Sequence, residues 1–102
     1  MISALKKIFG IASVDLATLL KEGAIIVDVR SAAEFASGHA KGSINIPLEQ
    51  IDSNVSKLKD HKHIITCCRS GNRSGMAKHK LEAKGLKNVT NGGSWQNVNQ
   101  YV

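Results

Sequence analysis

The sequence predicts an α/β domain with a central, mainly parallel sheet and helices on both faces, and three observations carry that expectation. The runs "AIIVDV" (24–29) and "HIITC" (63–67) are nearly continuously apolar and rich in β-branched residues, as strands covered on both sides are. Helical patterns fall between the strand patterns, so the two element types alternate along the chain. Neither a repeat nor a low-complexity linker interrupts the series, and the chain has a single proline.

In chain order, Ser13 can cap a helix whose apolar face is Leu16, Leu19 and Leu20, and Gly23 can close it. The first strand follows at 24–29. Directly after it, "SAAE" (31–34) is a capping box, with Ser31 and Glu34 each able to bond the other's amide, and a short helix to about Ser37 is expected. "SINIP" (43–47) reads as a second short strand stopped by Pro47, and "HIITC" as the third. A longer helix from about Arg73 to Lys84 carries Met76, Ala77, Leu81 and Ala83 and ends at Gly85. "KNVTN" (87–91) offers a fourth strand, and "GGSW" (92–95) a tight turn.

Composition narrows the classes of function. At 102 residues, with 42% apolar and 22% charged residues, the chain has the size and balance of one folded domain spanning 1–102. A net charge of +6 favours small anions and acidic surfaces. It does not imply nucleic acid, because the lysines are scattered and aromatic residues, which would stack on bases, make up only 4%. Two adjacent cysteines cannot staple a small secreted domain, so reduced thiols and a cytoplasmic setting are expected. "MISALKKIFGIAS" (1–13) has lysines among its apolar positions and reads neither as a signal peptide nor as a membrane span. Residues 1–11 are expected to form an extension or helix packed on the domain, with Ile2, Leu5 and Ile8 at a roughly helical spacing. His61, His63 and His79 lack metal-ligand spacing and are expected at the surface, so no metal and no cofactor are expected. A monomer is expected.

The chemistry concentrates in "TCCRSGNRSG" (66–75). The predicted order places it between the end of a central strand and the start of a helix, where open α/β sheets bind ligands. A glycine-containing loop entering a helix aims several backbone N–H groups at one point, and Arg69 and Arg73 add two permanent cations. A thiol at the mouth of such a loop ionises more readily than a free one. Two registers are open. From Cys67, Arg73 lies six positions on and the C-x5-R-S pattern of a cysteine phosphatase or arsenate reductase is met; from Cys68 the loop is one residue tighter. If the third strand is buried to its end, Cys67 belongs to the strand and Cys68 is the first loop residue.

"CRSGNRS" (68–74) resembles the active-site loop of the rhodanese family, the thiosulfate sulfurtransferases. "IIVDVRSAAEFASGHAKGSINIP" (25–47) resembles that family's other hallmark, and "NGGSW" (91–95) is similar to its Gly-Gly turn followed by Trp, here with Trp95 closer to the glycines than is usual. The resemblance covers about residues 12–100. It implies a three-layer rhodanese-like domain and a sulfurtransferase in which catalytic Cys68 forms a persulfide. Arg69, Ser70, Gly71, Asn72, Arg73 and Ser74 would bind a small sulfur-containing anion such as thiosulfate. Cyanide or a thiol, including a protein thiol, would accept the sulfur. A non-enzymatic sulfur-carrier or docking module is the other reading of the same loop. Asp28, Arg30, Glu34 and His39 are expected to frame the first turn, Arg30 pairing with Glu34, rather than to react.

Overall fold

A computed structural model describes residues 16–102, and the expectations for Ser13 and for residues 1–11 lie outside the described residues. A four-stranded sheet runs in the order β2-β1-β3-β4 with every neighbouring pair parallel. Its strands are β1 (Ile25–Asp28), β2 (Ile44–Asn45), β3 (Ile64–Cys68) and β4 (Val89–Ser94). The helices are α1 (16–21), α2 (Ala32–Ala36), α3 (Val55–Leu58), α4 (Asn72–Ala83) and α5 (Trp95–Asn99). No helix among the described residues is long and apolar enough to cross a membrane.

Alternation along the strands sorts the core into two layers. Val27, Ile64, Cys68 and Val89 pack with Leu58 of α3 and with Ala77 and Leu81 of α4. Ile26, Ile65 and Cys67 face the opposite way, onto Leu16 of α1 and Val98 of α5. Both faces of the sheet are covered by helices, and this explains the continuous apolar runs in β1 and β3. Each fully buried Leu or Ile contributes about 1.5–3 kcal/mol, and Leu16, Ile64, Ile65 and Leu81 are all at 1% exposure or less.

The capping box at Ser31 and Glu34 is present as predicted, and α2 ends at Ala36 with Ser37 as its C-cap. One local expectation is corrected and two places gain detail. Residues 48–58, unassigned from sequence, form two 3-10 turns (Leu48–Gln50 and Asp52–Asn54) followed by α3, with no side-chain cap at Pro47 or Asn54 to announce them. His63 lies partly exposed near the surface, with its Nε2 2.7 Å from Glu22 Oε1. The glycines of "GGSW" do not make a turn. They lie inside β4, which carries one residue more than β3 between the pairs Thr66–Asn91 and Cys68–Ser94. Gly93 takes the left-handed φ of 83° that this bulge requires.

Gly92 marks a close approach of backbone to core. A Cβ there would lie 2.6 Å from Val98 Cγ2, 2.8 Å from Ile65 Cγ2 and 3.0 Å from the Thr66 carbonyl oxygen. Two of these atoms belong to stiff β-branched side chains and the third is backbone, so none moves aside easily. Gly92→Ala is therefore expected to destabilise the fold by about 1–3 kcal/mol. A urea titration checks this: the midpoint should fall at unchanged slope, and an unaltered midpoint would contradict the packing described.

Candidate active site

β3 ends at Cys68, α4 begins at Asn72, and Arg69, Ser70 and Gly71 join them. Gly71 makes the entry possible with a left-handed φ of 101°, and it offers no side chain to cap the helix. The Cys68 sulfur serves instead. It accepts from the Gly71 amide at 3.0 Å and from the Ser74 amide, in the first turn of α4, at 3.4 Å. Ser74 Oγ also lies 3.4 Å from Sγ. Burial pushes the Cys68 thiol up, but the Ser74 hydroxyl and the amides of Ser74, Gly71 and Ser70 outweigh it, and the net shift is downward.

Cys68 is the last residue of the strand, not the first of the loop, and it is fully buried. The strand runs one residue further than the apolar pattern indicated because the bulge in β4 keeps the pairing in step as far as Cys68–Ser94. The sulfur thus sits beneath the loop, among its donors.

Cys67 has the opposite environment. Its side chain lies in the other layer with Leu16, Ile65 and Val98. Burial, with the nearby Asp28 adding to it, pushes the Cys67 thiol up to about 12. The C-x5-R register counted from Cys67 therefore has no structural basis, since that sulfur does not face the loop.

The loop arginines divide. Arg73 reaches Glu34 of α2 with both ends of its fork, Nη1 to Oε1 at 2.7 Å and Nη2 to Oε2 at 3.0 Å. Glu34 also accepts from the Ser31 amide at 3.0 Å and from the Ser31 hydroxyl at 3.1 Å. These partners, the Arg73 guanidinium first, hold the Glu34 carboxyl down at about 2. The expected pairing of Glu34 with Arg30 is corrected: Glu34 joins α2 to α4, and Arg30 has another partner. Arg69 is exposed and lines a polar pocket of about 270 Å³ with Arg30, Glu34, Ser37, Trp95 and Gln96. Ser70 and Asn72 are exposed, and Ser74 is buried. A larger pocket, of about 540 Å³, includes Leu20, Ile26 and Tyr101 and none of the loop residues.

Beneath the polar pocket, Asp28 and Arg30 form a buried ion pair, with Arg30 Nη2 2.7 Å from Asp28 Oδ2. Arg30 Nη2 also donates to the Gly38 carbonyl at 2.6 Å, and the guanidinium lies 5.2 Å over the Trp95 ring. The expectation that Asp28 and Arg30 frame the turn holds, and Trp95 is the floor of that frame. His39 is held by its Nδ1 to the Phe35 carbonyl at 2.8 Å, and its ring stacks on Phe35. Asn91, which the sequence reading passed over, bonds Ser74 Oγ and the Gly71 carbonyl. Its only signal was a polar residue closing a strand pattern.

Among known proteins, the Rhodanese-like domain family profile matches residues 13–100. The chain is 35% identical over 66 residues to the putative sulfur carrier protein YrkF of Bacillus subtilis, covering 65% of this chain and 36% of that one. It is 30% identical over 74 residues to thiosulfate sulfurtransferase PspE of Escherichia coli, covering 71% of each. The structure of human single-domain sulfurtransferase TSTD1 superposes with a TM-score of 0.72 at 25% identity, covering 81% of this chain and 88% of that one. A rhodanese with anions from E. coli gives 0.67 at 28% identity, covering 74% and 91%.

The Glu34–Arg73 pair sets an acid-side expectation. Because the Glu34 carboxyl is lowered from 4.5 to about 2, its contribution to stability is complete above pH 4.5 and fades as the pH falls through about 2. Glu34→Gln should lower stability at neutral pH and flatten the acid limb between those values, as read from urea midpoints across pH. Parallel acid limbs in the two proteins would count against the pairing.

Proposed function

The chain belongs to the rhodanese-like domain family, and we propose that it is a sulfurtransferase whose nucleophile is Cys68. The observation that carries the reading is the convergence of the Gly71 and Ser74 amides on one sulfur, with the Ser74 hydroxyl oxygen 3.4 Å from it. Donors fixed in this way stabilise a sulfur anion without having to reorganise during the reaction. A thiolate so held needs no separate general base.

The reaction is a double displacement. The Cys68 thiolate attacks the outer sulfur of thiosulfate, the S–S bond to the sulfonate breaks, and sulfite leaves with the electron pair. Cys68 then carries a persulfide anion, which the same N–H groups of the loop from Arg69 to Ser74 can hold. Cyanide takes the outer sulfur as thiocyanate, or a thiolate takes it as a new persulfide, and the Cys68 thiolate returns. Arg69, exposed at the polar pocket, attracts the dianionic donor, while the Arg73 charge is shared with Glu34. Since no part of Cys68 is exposed, the loop must yield slightly for the donor to reach the sulfur.

The relative named as a putative sulfur carrier favours a second reading, in which the chain accepts and delivers sulfur without rapid turnover. Intact-mass measurement after thiosulfate treatment, followed by a cyanide turnover assay, separates the two. One added sulfur atom is expected in the wild type and in Cys67→Ser, and none in Cys68→Ser. Thiocyanate formation well above that of a free thiol identifies the transferase, and loading without such turnover identifies the carrier. Sulfur retained in Cys68→Ser would refute both.

A further inference from the structure

Asn91 stands on β4 opposite Thr66, just before the bulge, and its carboxamide makes three hydrogen bonds at once. Oδ1 accepts from the Gly93 amide at 3.0 Å and from Ser74 Oγ at 2.7 Å, while Nδ2 donates to the Gly71 carbonyl at 3.1 Å. A backbone amide can only donate and a carbonyl only accept, so these partners fix which end of the carboxamide is oxygen. An oxygen so fixed must take the Ser74 hydroxyl hydrogen. Gly75 allows this proximity, since a Cβ there would already lie 3.2 Å from Nδ2.

The two residues that Asn91 grips in the loop and helix both have amides that bond the Cys68 sulfur. We infer that Asn91 is a positioning residue for Cys68, holding the Gly71 carbonyl and the Ser74 hydroxyl so that the loop's donors converge on the sulfur. The inference rests on the reading of Cys68 as the nucleophile.

Among the described residues, the charged and titratable groups around Cys68 are Cys67 on β3, Asp28 and Arg30 at the end of β1, Arg69 in the loop, and Arg73 on α4 with its partner Glu34. β4 contributes none between Val89 and Ser94. A neutral substitution of Asn91 therefore leaves every one of these charges in place, and a change in Cys68 ionisation reports the hydrogen bonds.

The test measures alkylation rate against pH in the full chain carrying Cys67→Ser, so that only Cys68 reacts. Asn91→Ala should raise the midpoint by about 1 pH unit, which is roughly tenfold less thiolate at a pH below both midpoints. Asn91→Ser, too short to bridge all three partners, should shift it in the same direction and serves if the alanine variant does not fold. Combined with Ser74→Ala, Asn91→Ala should shift the midpoint by less than the sum of the two single shifts, because one residue acts partly through the other. An unchanged or lowered midpoint in a folded variant, or full additivity, would overturn the assignment. So would loss of cooperative unfolding in both Asn91 variants, which would mean that Asn91 serves the fold alone. A wild-type midpoint no lower than that of a free thiol would instead sink the nucleophile reading, and the comparison among variants would still stand.

Discussion

A sulfur atom caps a helix here. The first turn of any α-helix leaves amides without intrahelical partners, and at α4 the residue in the capping position is Gly71, which has no side chain to offer. The Cys68 sulfur takes up the Gly71 and Ser74 amides instead. Structure and chemistry thus draw on the same bonds: the donors that need an acceptor for the helix to start are those that favour an ionised sulfur. An anion at that end of the helix is also favoured by the aligned peptide dipoles. The surrounding contacts read as supports for this junction, with Thr66 Oγ1 donating to the Ser74 carbonyl at 3.0 Å from below and Arg73 tied to Glu34 from the side.

Charge is distributed unevenly around the junction. Arg30 is buried and fully engaged by Asp28, Gly38 and the Trp95 ring, and Arg73 is half-exposed and shared with Glu34. A buried pair of this kind adds little net stability, yet removing one member leaves the other charge stranded, at a cost of about 3–5 kcal/mol. Its value is geometric. Asn45 of β2 joins the Asp28 and Arg30 carbonyls and ties the end of β1 to β2, while the Val29 amide donates to the Cys67 carbonyl and sets that end beside β3. Arg69 is left lining the polar pocket with an exposed side chain.

Much of this was legible in the amino-acid order. The buried strands announced themselves through Ile25, Ile26, Val27, Ile64 and Ile65, and the capping box gave α2 to within a residue. Local rules failed where a long-range contact decided the outcome. The end of β3 is set by pairing with a bulged neighbour, which no pattern within 63–67 contains. Gly92 and Gly93 carried a turn signal, yet crowding by Val98 and Ile65 and the extra residue in β4 demand glycine there for other reasons. Glu34 had a plausible partner four residues away in Arg30 and took Arg73 instead, 39 positions distant in sequence. Asn91 signalled only a polar residue closing a strand pattern, because its three partners come together only once α4 lies against β4.

The strand alternation that puts Cys67 and Cys68 in different layers has a further consequence. The chain has two cysteines, and the sheet lies between their sulfurs, so neither can act as a resolving thiol for the other without unravelling β3. A sulfenic acid formed at Cys68 therefore has no route to a disulfide with Cys67, and a disulfide at Cys68 needs a thiol other than its chain neighbour. Adjacency in the primary structure invites the picture of a self-contained redox couple, and the alternation of the strand removes it.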